Sequence, residues 1–202
     1  KRNPKNPLLT PDAEHAWEAR GTFNGCPITR GKTTHLLYRS LGLPDPLSAP
    51  SGLSTIHAAT SENGRTYKKR GPFITPTESW DKNGCEDPRV TRFEGQYVVF
   101  YTALGGYPFN AGNIRVGVAL SDDLKSVKEK HLVTPFNAKA MALFPERVGD
   151  KVTAIVSVHT DEPPTKIGII QVDQLEDLWN PERWAHWHEK LPEHVVNPLR
   201  RD

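Results

Sequence analysis

Glu86 and Asp87 are neighbouring acids in the stretch KNGCEDPRV (82–90), set between an Asn-Gly turn and a proline and followed at once by Arg89. Two carboxyls this close repel when both are ionised, which raises the pKa of one of them. A carboxyl that keeps its proton can hand it to a leaving oxygen, the step that cleavage of a sugar bond requires. The plainer reading is structural, with Asp87 and Arg89 bridging strands as an ion pair. A third acid, Glu146, sits beside Arg147 in ALFPERV (142–148) and is the candidate base should water be the attacking group. The opening of the acidic stretch occurs once more, as FNGCPIT (23–29), without the acids. The repeated part therefore reads as architecture and the acids as chemistry.

Elements that could position such groups recur along the chain. LLTP (8–11), FITP (73–76), LVTP (132–135) and, more loosely, VVNP (195–198) mark units whose Pro-to-Pro spacings are 65, 59 and 63. After each of the first three comes a Pro-containing strand start, GCPIT, GCEDPRV and ALFPERV. A Gly turn and a run rich in Val, Ile, Tyr and Thr follow (GKTTHLLYRS, GQYVVFYTAL, GDKVTAIVSVH), then a further strand. Antiparallel units of about 60 residues are the size of β-propeller blades. The fold class expected is all-β, with the three Pro-containing segments innermost, Cys26 and Cys85 as small buried groups at equivalent places, Asn83 in a turn and Asn24 beside the channel. Three units are complete and a fourth has begun, whereas closure needs at least four blades. Residues 1–202 are therefore expected to be a single, incomplete propeller domain whose open edges invite association. Three units that close differently, or through a homo-oligomer, are the alternative.

The bulk properties exclude several classes. The chain has 202 residues, 36% of them hydrophobic and 25% charged, and its net charge of +2 gives no electrostatic case for nucleic acid. No apolar run reaches membrane-spanning length, and the first residues carry no apolar signal segment. Two cysteines are too few for a disulfide scaffold and suit a reducing, cytoplasmic compartment. A helix is expected over NPERWAHWHEK, with Asn180 as N-cap and Pro181 at its first position, and Trp179, Trp184 and Trp187 packing it onto the sheet. HWHEKLP (186–192) fails the H-E-x-x-H zinc pattern, so no metal is expected. Tyr107 and Phe109, in the loop GYPFNAG (106–112), either plug the loop or face a sugar. No Gly-x-x-x-x-Gly-Lys loop implies a nucleotide.

GCEDPRV, together with FNGCPI, LLYRS, VVFYTA and KAMALFPERV, resembles glycoside hydrolase family 130, which holds the β-mannoside phosphorylases and a few β-mannosidases. The resemblance implies a five-bladed β-propeller, for which about 300 residues are needed at the unit size above. It implies an inverting enzyme acting on a manno-oligosaccharide or other β-mannoside, with no cofactor but with inorganic phosphate as co-substrate. Asp87 matches the general acid. Asn24 and Arg39 match residues that hold the reacting mannose, with Glu86, Arg89 and Glu146 as further substrate contacts. Lys139 matches a phosphate-binding cation, with Arg147 and His159 as candidates to assist it. Where phosphorylases of this family commonly carry a His-Arg pair, this chain reads His159-Thr160. A neutral hydroxyl thus replaces a permanently charged, bidentate fork. The readings from other classes are a carbohydrate-binding propeller without turnover and a propeller glycosidase acting on arabinan or xylan.

Overall fold

The computed structural model describes residue 4 and residues 6–196, apart from the side chains of residues 69 and 70. Eleven strands form three consecutive antiparallel meanders among the described residues. The first comprises β1 (Gly21–Arg30), β2 (Thr33–Leu41), β3 (Ser54–Ser61) and β4 (Lys68–Ile74). The second comprises β5 (Gly84–Phe93), β6 (Gln96–Leu104), β7 (Ile114–Ser121) and β8 (Glu129–Leu132). The third has β9 (Ala138–Leu143), β10 (Val152–Val158) and β11 (Lys166–Val172). The expected all-β class is therefore observed. A single parallel bridge, Ser54 to Gly84, joins the first meander to the second.

The middle strands are continuous apolar runs because both of their faces are covered. In β6, every residue from Tyr97 to Leu104 is buried. One core cluster, including Leu37, Ile56, Val99 and Ala119, lies between the first and second meanders. A larger one, including Phe100, Val118, Met141, Val156 and Trp184, joins the second to the third. Helix α1 (Pro181–Glu189) begins where expected: Asn180 Oδ1 accepts from the backbone N–H groups of Glu182 at 2.9 Å and Arg183 at 3.3 Å, and Pro181 needs no donor. Trp184 and Trp187 are buried, and their indole N–H groups donate to Leu178 O and Ile169 O. A one-turn helix, α2 (Leu191–His194), follows. No described helix is long and apolar enough to cross a membrane. The fourth repeat signal, VVNP, lies partly outside the described residues.

The first strands of the three meanders lie side by side and run the same way. Asn24 meets Asp87, Val90 N–H donates to Cys26 Sγ, Thr91 Oγ1 donates to Leu143 O, and Arg147 meets Glu94. Each strand bulges once. Pairing of β1 with β2 skips between Phe23 and Cys26, pairing of β5 with β6 skips between Glu86 and Arg89, and β10 with β9 skips between Ile155 and Ser157. Each bulge holds one non-glycine residue in the left-handed region: Asn24 (φ 53), Asp87 (φ 54) and Ala140 (φ 50). These three are the equivalent positions of the repeat.

That register corrects two expectations. Cys26 follows its bulge and corresponds to Arg89, whereas Cys85 precedes its own, so the two Asn-Gly-Cys copies are not structurally equivalent, and only Cys85 is fully buried. The third unit's inner strand is AKAMAL, and PERV falls in the turn beyond it. From Asp87 to Ala140 the spatial repeat steps by 53 residues, and between the first two meanders it steps by 63. Asn24 and Asp87 are that far apart, and so are Tyr38 and Tyr101, Glu18 and Asp81, and Trp17 and Trp80. In both meanders the tyrosine opposite the bulge donates to the buried acid that precedes the strand: Tyr38 Oη to Glu18 at 3.0 Å and Tyr101 Oη to Asp81 at 2.9 Å.

Candidate functional site

Left-handed backbone suits Asn and Asp better than other side-chain-bearing residues, and a bulge aims one side chain out of the sheet. Two adjacent inner strands each do this, and the aimed groups touch. Asn24 Nδ2 donates to Asp87 Oδ1 at 2.6 Å. Residues held in that region cost of order 1–3 kcal/mol each and persist where the surrounding fold dictates them, which is common at functional sites. In β9 the same slot carries Ala140, which has no polar tip to present.

Arg39, on β2, reaches across to the acids. Its guanidinium pairs with Glu86 through NH2, lies 3.6 Å from Asp87 Oδ1 through NH1, and donates from Nε to Ser54 Oγ at 3.1 Å. Its plane sits 4.7 Å from the centre of the Phe23 ring, which is itself 38% exposed. Burial pushes the Glu86 carboxyl above its usual range. Arg39 and a hydrogen bond with Ser54 work against that shift, and the Asp87 charge adds to it. Asp87 is the more open of the two carboxylates, 32% exposed against 15% for Glu86. Arg89 does not bridge to Asp87; its NH1 donates to Pro88 O at 3.1 Å. The acid pair is thus bound by groups from three strands, and the simple Asp87–Arg89 strand bridge is not what forms.

Lys139, at the start of β9, lies close enough to influence Glu86, but its ammonium is engaged by Asp161 Oδ1 at 2.7 Å. Asp161 also accepts from Asn137 Nδ2 at 2.9 Å and Thr160 Oγ1 at 2.8 Å. Burial works to raise its pKa, yet the Lys139, Asn137 and Thr160 hydrogen bonds win and hold the carboxyl below the usual range. His159 (φ 56) turns to the helix instead, with Nε2 2.9 Å from His188 Nε2.

Glu146 and Arg147 do not join this group. Arg147 donates from Nε to Glu94 at 2.7 Å and from NH1 to Asp150 O and Asp173 O. Glu94 is in the turn at the far end of β5, seven residues on from Asp87, which at about 3.3 Å per residue is roughly 23 Å of strand. Glu146 is exposed in the turn after β9. Their position corrects the expectation that they assist at the acids. The groups that sequence reasoning missed are Ser54, Phe23, Asp161 and Asn137. Phe23 opens the FNGCPIT motif without being singled out by it, and no motif marks Ser54, Asp161 or Asn137, which reach the site through contacts between separate elements.

The family model described as beta-1,4-mannooligosaccharide phosphorylase, glycoside hydrolase family 130, matches residues 47–176. A beta-1,2-mannobiose phosphorylase of Thermoanaerobacter sp. (strain X514) is 33% identical over 155 residues, covering 72% of this chain and 50% of that protein. A 1,2-beta-oligomannan phosphorylase from the same strain is 28% identical over 200 residues, covering 98% of this chain and 62% of that protein. The chain therefore spans about half to three-fifths of the length of these relatives. Among solved structures, the beta-1,2-mannobiose phosphorylase from Listeria innocua superposes with a TM-score of 0.66 at 20% identity, over 85% of this chain and 62% of that one. At that identity the likeness concerns the fold.

Proposed function

Because the chain belongs to glycoside hydrolase family 130, we propose that it provides the acid-bearing part of a five-bladed propeller enzyme that cleaves β-mannosidic bonds with inversion. The observation that carries this reading is the acid pair on its bulge: Asp87 held in the left-handed region, touched by Asn24 and Arg39, with Glu86 paired behind it. Asp87 is the proton donor to the leaving sugar. Arg39 and Asn24 fix its carboxylate, and Asn24, Arg39 and Phe23 form the exposed floor on which a mannose ring rests. Glu86, more deeply placed, sets the charge around the donor rather than meeting the substrate first. Arg89 follows the bulge as a flank of the same floor.

Phosphate is the favoured nucleophile, since both relatives are named phosphorylases. Lys139 is then its cation, whereas His159, whose Nε2 meets His188, faces the helix and does not assist it. No cofactor is invoked. One observation favours water instead. Asp161 already occupies the donors of Lys139, Asn137 and Thr160, as an incoming anion would. A buried anion needs cations and donors to replace its water, and here a fixed carboxylate competes for them.

The test is product analysis of the full-length protein on β-1,2- and β-1,4-mannobiose across phosphate concentrations. Mannose 1-phosphate that rises with phosphate and is lost in Lys139→Ala supports phosphorolysis. Free mannose at a rate indifferent to phosphate supports hydrolysis. Absence of any product from both disaccharides would overturn the reading as a whole.

A further inference from the structure

The loop 105–113, between β6 and β7, is built as a rigid shelf and is not used by the acid site. Its frame is a set of asparagine bonds. Asn110 Oδ1 accepts from Gly112 N at 2.9 Å, Asn113 Oδ1 accepts from Asn110 N at 3.1 Å, and the side-chain amides of both donate to Pro108 O. Gly105 N donates back to Asn113 O at 2.8 Å, closing the base of the loop. A short turn of 3₁₀ helix, Ala111–Asn113, completes it. On this frame stand Tyr107 and Phe109, in edge-to-face contact with ring centres 5.3 Å apart. They are 52% and 39% exposed, so they do not plug the loop. Two adjoining rings held at the surface offer an apolar face on which a ligand ring can pack.

At the base of the same loop is an open cavity of about 240 Å³ lined by Ser79, Trp80, Gly105, Gly112, Asn113 and Arg115, with Tyr107 and Phe109 outside its lining. At roughly 30 Å³ per water it has room for about eight waters, the scale of one sugar ring. Its lining combines an indole with a hydroxyl, an amide and a guanidinium. Gly105 keeps this floor close-packed: a Cβ there would lie 3.1 Å from Trp80 O, and the backbone would have to give by a few tenths of an ångström. Arg115 NH2 makes only a long bond, 3.4 Å, to Gly112 O, and Arg115 has no acidic partner among the described residues.

Position links the shelf to the acids. Leu104, the last residue before the loop, pairs with Gly84, and Thr102 pairs with Glu86. The loop therefore leaves the sheet two residues from Glu86 along the strand, about 7 Å, at the same end of the inner strands as Asp87. A substrate bound at the acids and continuing outward over the second meander passes this loop.

We propose that the shelf is a distal sugar subsite, with Tyr107 and Phe109 stacking on a mannose residue beyond the disaccharide and Arg115 and Asn113 hydrogen-bonding its hydroxyls. The proposal rests on the β-mannoside reading and adds chain-length selectivity to it. Aromatic faces suit the C–H face of a pyranose, and the polar lining suits its hydroxyls.

The experiment compares β-1,2-mannotriose with β-1,2-mannobiose on the full-length protein. Wild type is expected to favour the trisaccharide, and Tyr107→Ala or Phe109→Ala to lower the ratio of the two kcat/KM values five-fold or more. Arg115→Gln, which leaves the loop frame intact, is expected to lower it at least three-fold and guards against a folding artefact in the aromatic variants. Titration of both sugars into Asp87→Asn gives the same comparison from binding alone, with and without Tyr107→Ala. Ratios unchanged in all three variants would overturn the subsite. Trisaccharide binding to Asp87→Asn that weakens with Tyr107→Ala would support it even if no product were formed by the wild type, in which case the cleavage reading alone has failed.

Discussion

Removing the positive charge of Lys130 should destabilise the protein more than any other single change at the second meander. Asp81 is fully buried and pairs with Lys130, itself only 8% exposed. The carboxylate also accepts from Tyr101 Oη at 2.9 Å, from Thr77 N at 3.1 Å and from Glu78 N at 2.9 Å, with Cys85 Sγ at 3.6 Å. Lys130 donates in turn to Thr75 O and Thr77 Oγ1. Burial first, then the nearby Cys85 and Asp81, push the Tyr101 hydroxyl far above its usual range, so it remains a donor. Taking away one partner of a buried pair strands the other and costs about 3–5 kcal/mol. For a chain of this size each kcal/mol shifts Tm by about 2–4 °C, so Lys130→Met should lower Tm by roughly 6–20 °C. Tyr101→Phe removes one hydrogen bond to a charged acceptor, about 1.5–3 kcal/mol, or roughly 3–12 °C by the same conversion.

A double-mutant cycle separates pairing from packing. Asp81→Asn keeps an oxygen for Thr77 N and Glu78 N but leaves Lys130 unpaired; adding Lys130→Met removes that stranded charge. Urea denaturation should therefore show the double variant at least about 2 kcal/mol more stable than the sum of the singles predicts, because coupled neighbours depart from additivity by 0.5–3 kcal/mol. Additivity within about 0.5 kcal/mol would refute the pairing argument, as would a Lys130→Met protein that melts with the wild type.

Three further outcomes are expected. Asp87→Asn should lower kcat on β-mannobiose by about 10²–10⁴, the usual contribution of general acid catalysis, and much less on an aryl mannoside whose leaving group needs no proton; equal losses on both substrates would count against proton donation. Asp161 has its pKa held below the usual carboxylate value by its three donors, so its contribution to stability is present above that value and is lost as pH falls through the depressed one; Tm measured from pH 6 to pH 2 should fall less steeply in Asp161→Asn than in wild type. Burial and the neighbouring His159 push the His188 pKa below 6.5, so the neutral ring is favoured in the fold and stability is lost as pH falls below 6.5; His188→Gln should flatten Tm between pH 7 and 5, and an unchanged slope would contradict the His159–His188 contact.

The strands were legible because their composition is dictated by burial on both faces. VVFYTAL and TAIVSV are short runs rich in β-branched and aromatic residues, too short for buried helices, and both form middle strands. The N-cap of α1 was legible because its chemistry is local. Register was not, because the repeated letters were the wrong ones. Asn-Gly-Cys satisfies a bulge at 24–26 and a strand entry at 83–85, two places with similar turn demands and different neighbours. Pro145 resembled the prolines of the other units, yet it stands after its strand ends, and Glu146 and Arg147 went with it to the far end. The contacts of Arg39 with Glu86 and of His159 with His188 join separate elements, and no local pattern encodes them.

The bulge position shows where fold ends and function begins. One left-handed slot recurs in three adjacent strands and carries an amide at Asn24, a carboxylate at Asp87 and a methyl at Ala140. Backbone demand alone explains Asn and Asp, which tolerate this region, but it does not explain Ala140, which has neither the freedom of glycine nor a side chain that bonds locally. The conformation must therefore be imposed by the meander, with the side chain free to vary. In the two meanders where the slot carries a polar tip, a tyrosine opposite the bulge is tied to a buried acid. In the third, the opposing residue is Val156, buried in an apolar cluster. The extra polar anchoring thus accompanies the tips that meet each other, not the bulge as such. That is the distribution expected if it holds Asn24 and Asp87 to the 2.6 Å contact that aims the acid.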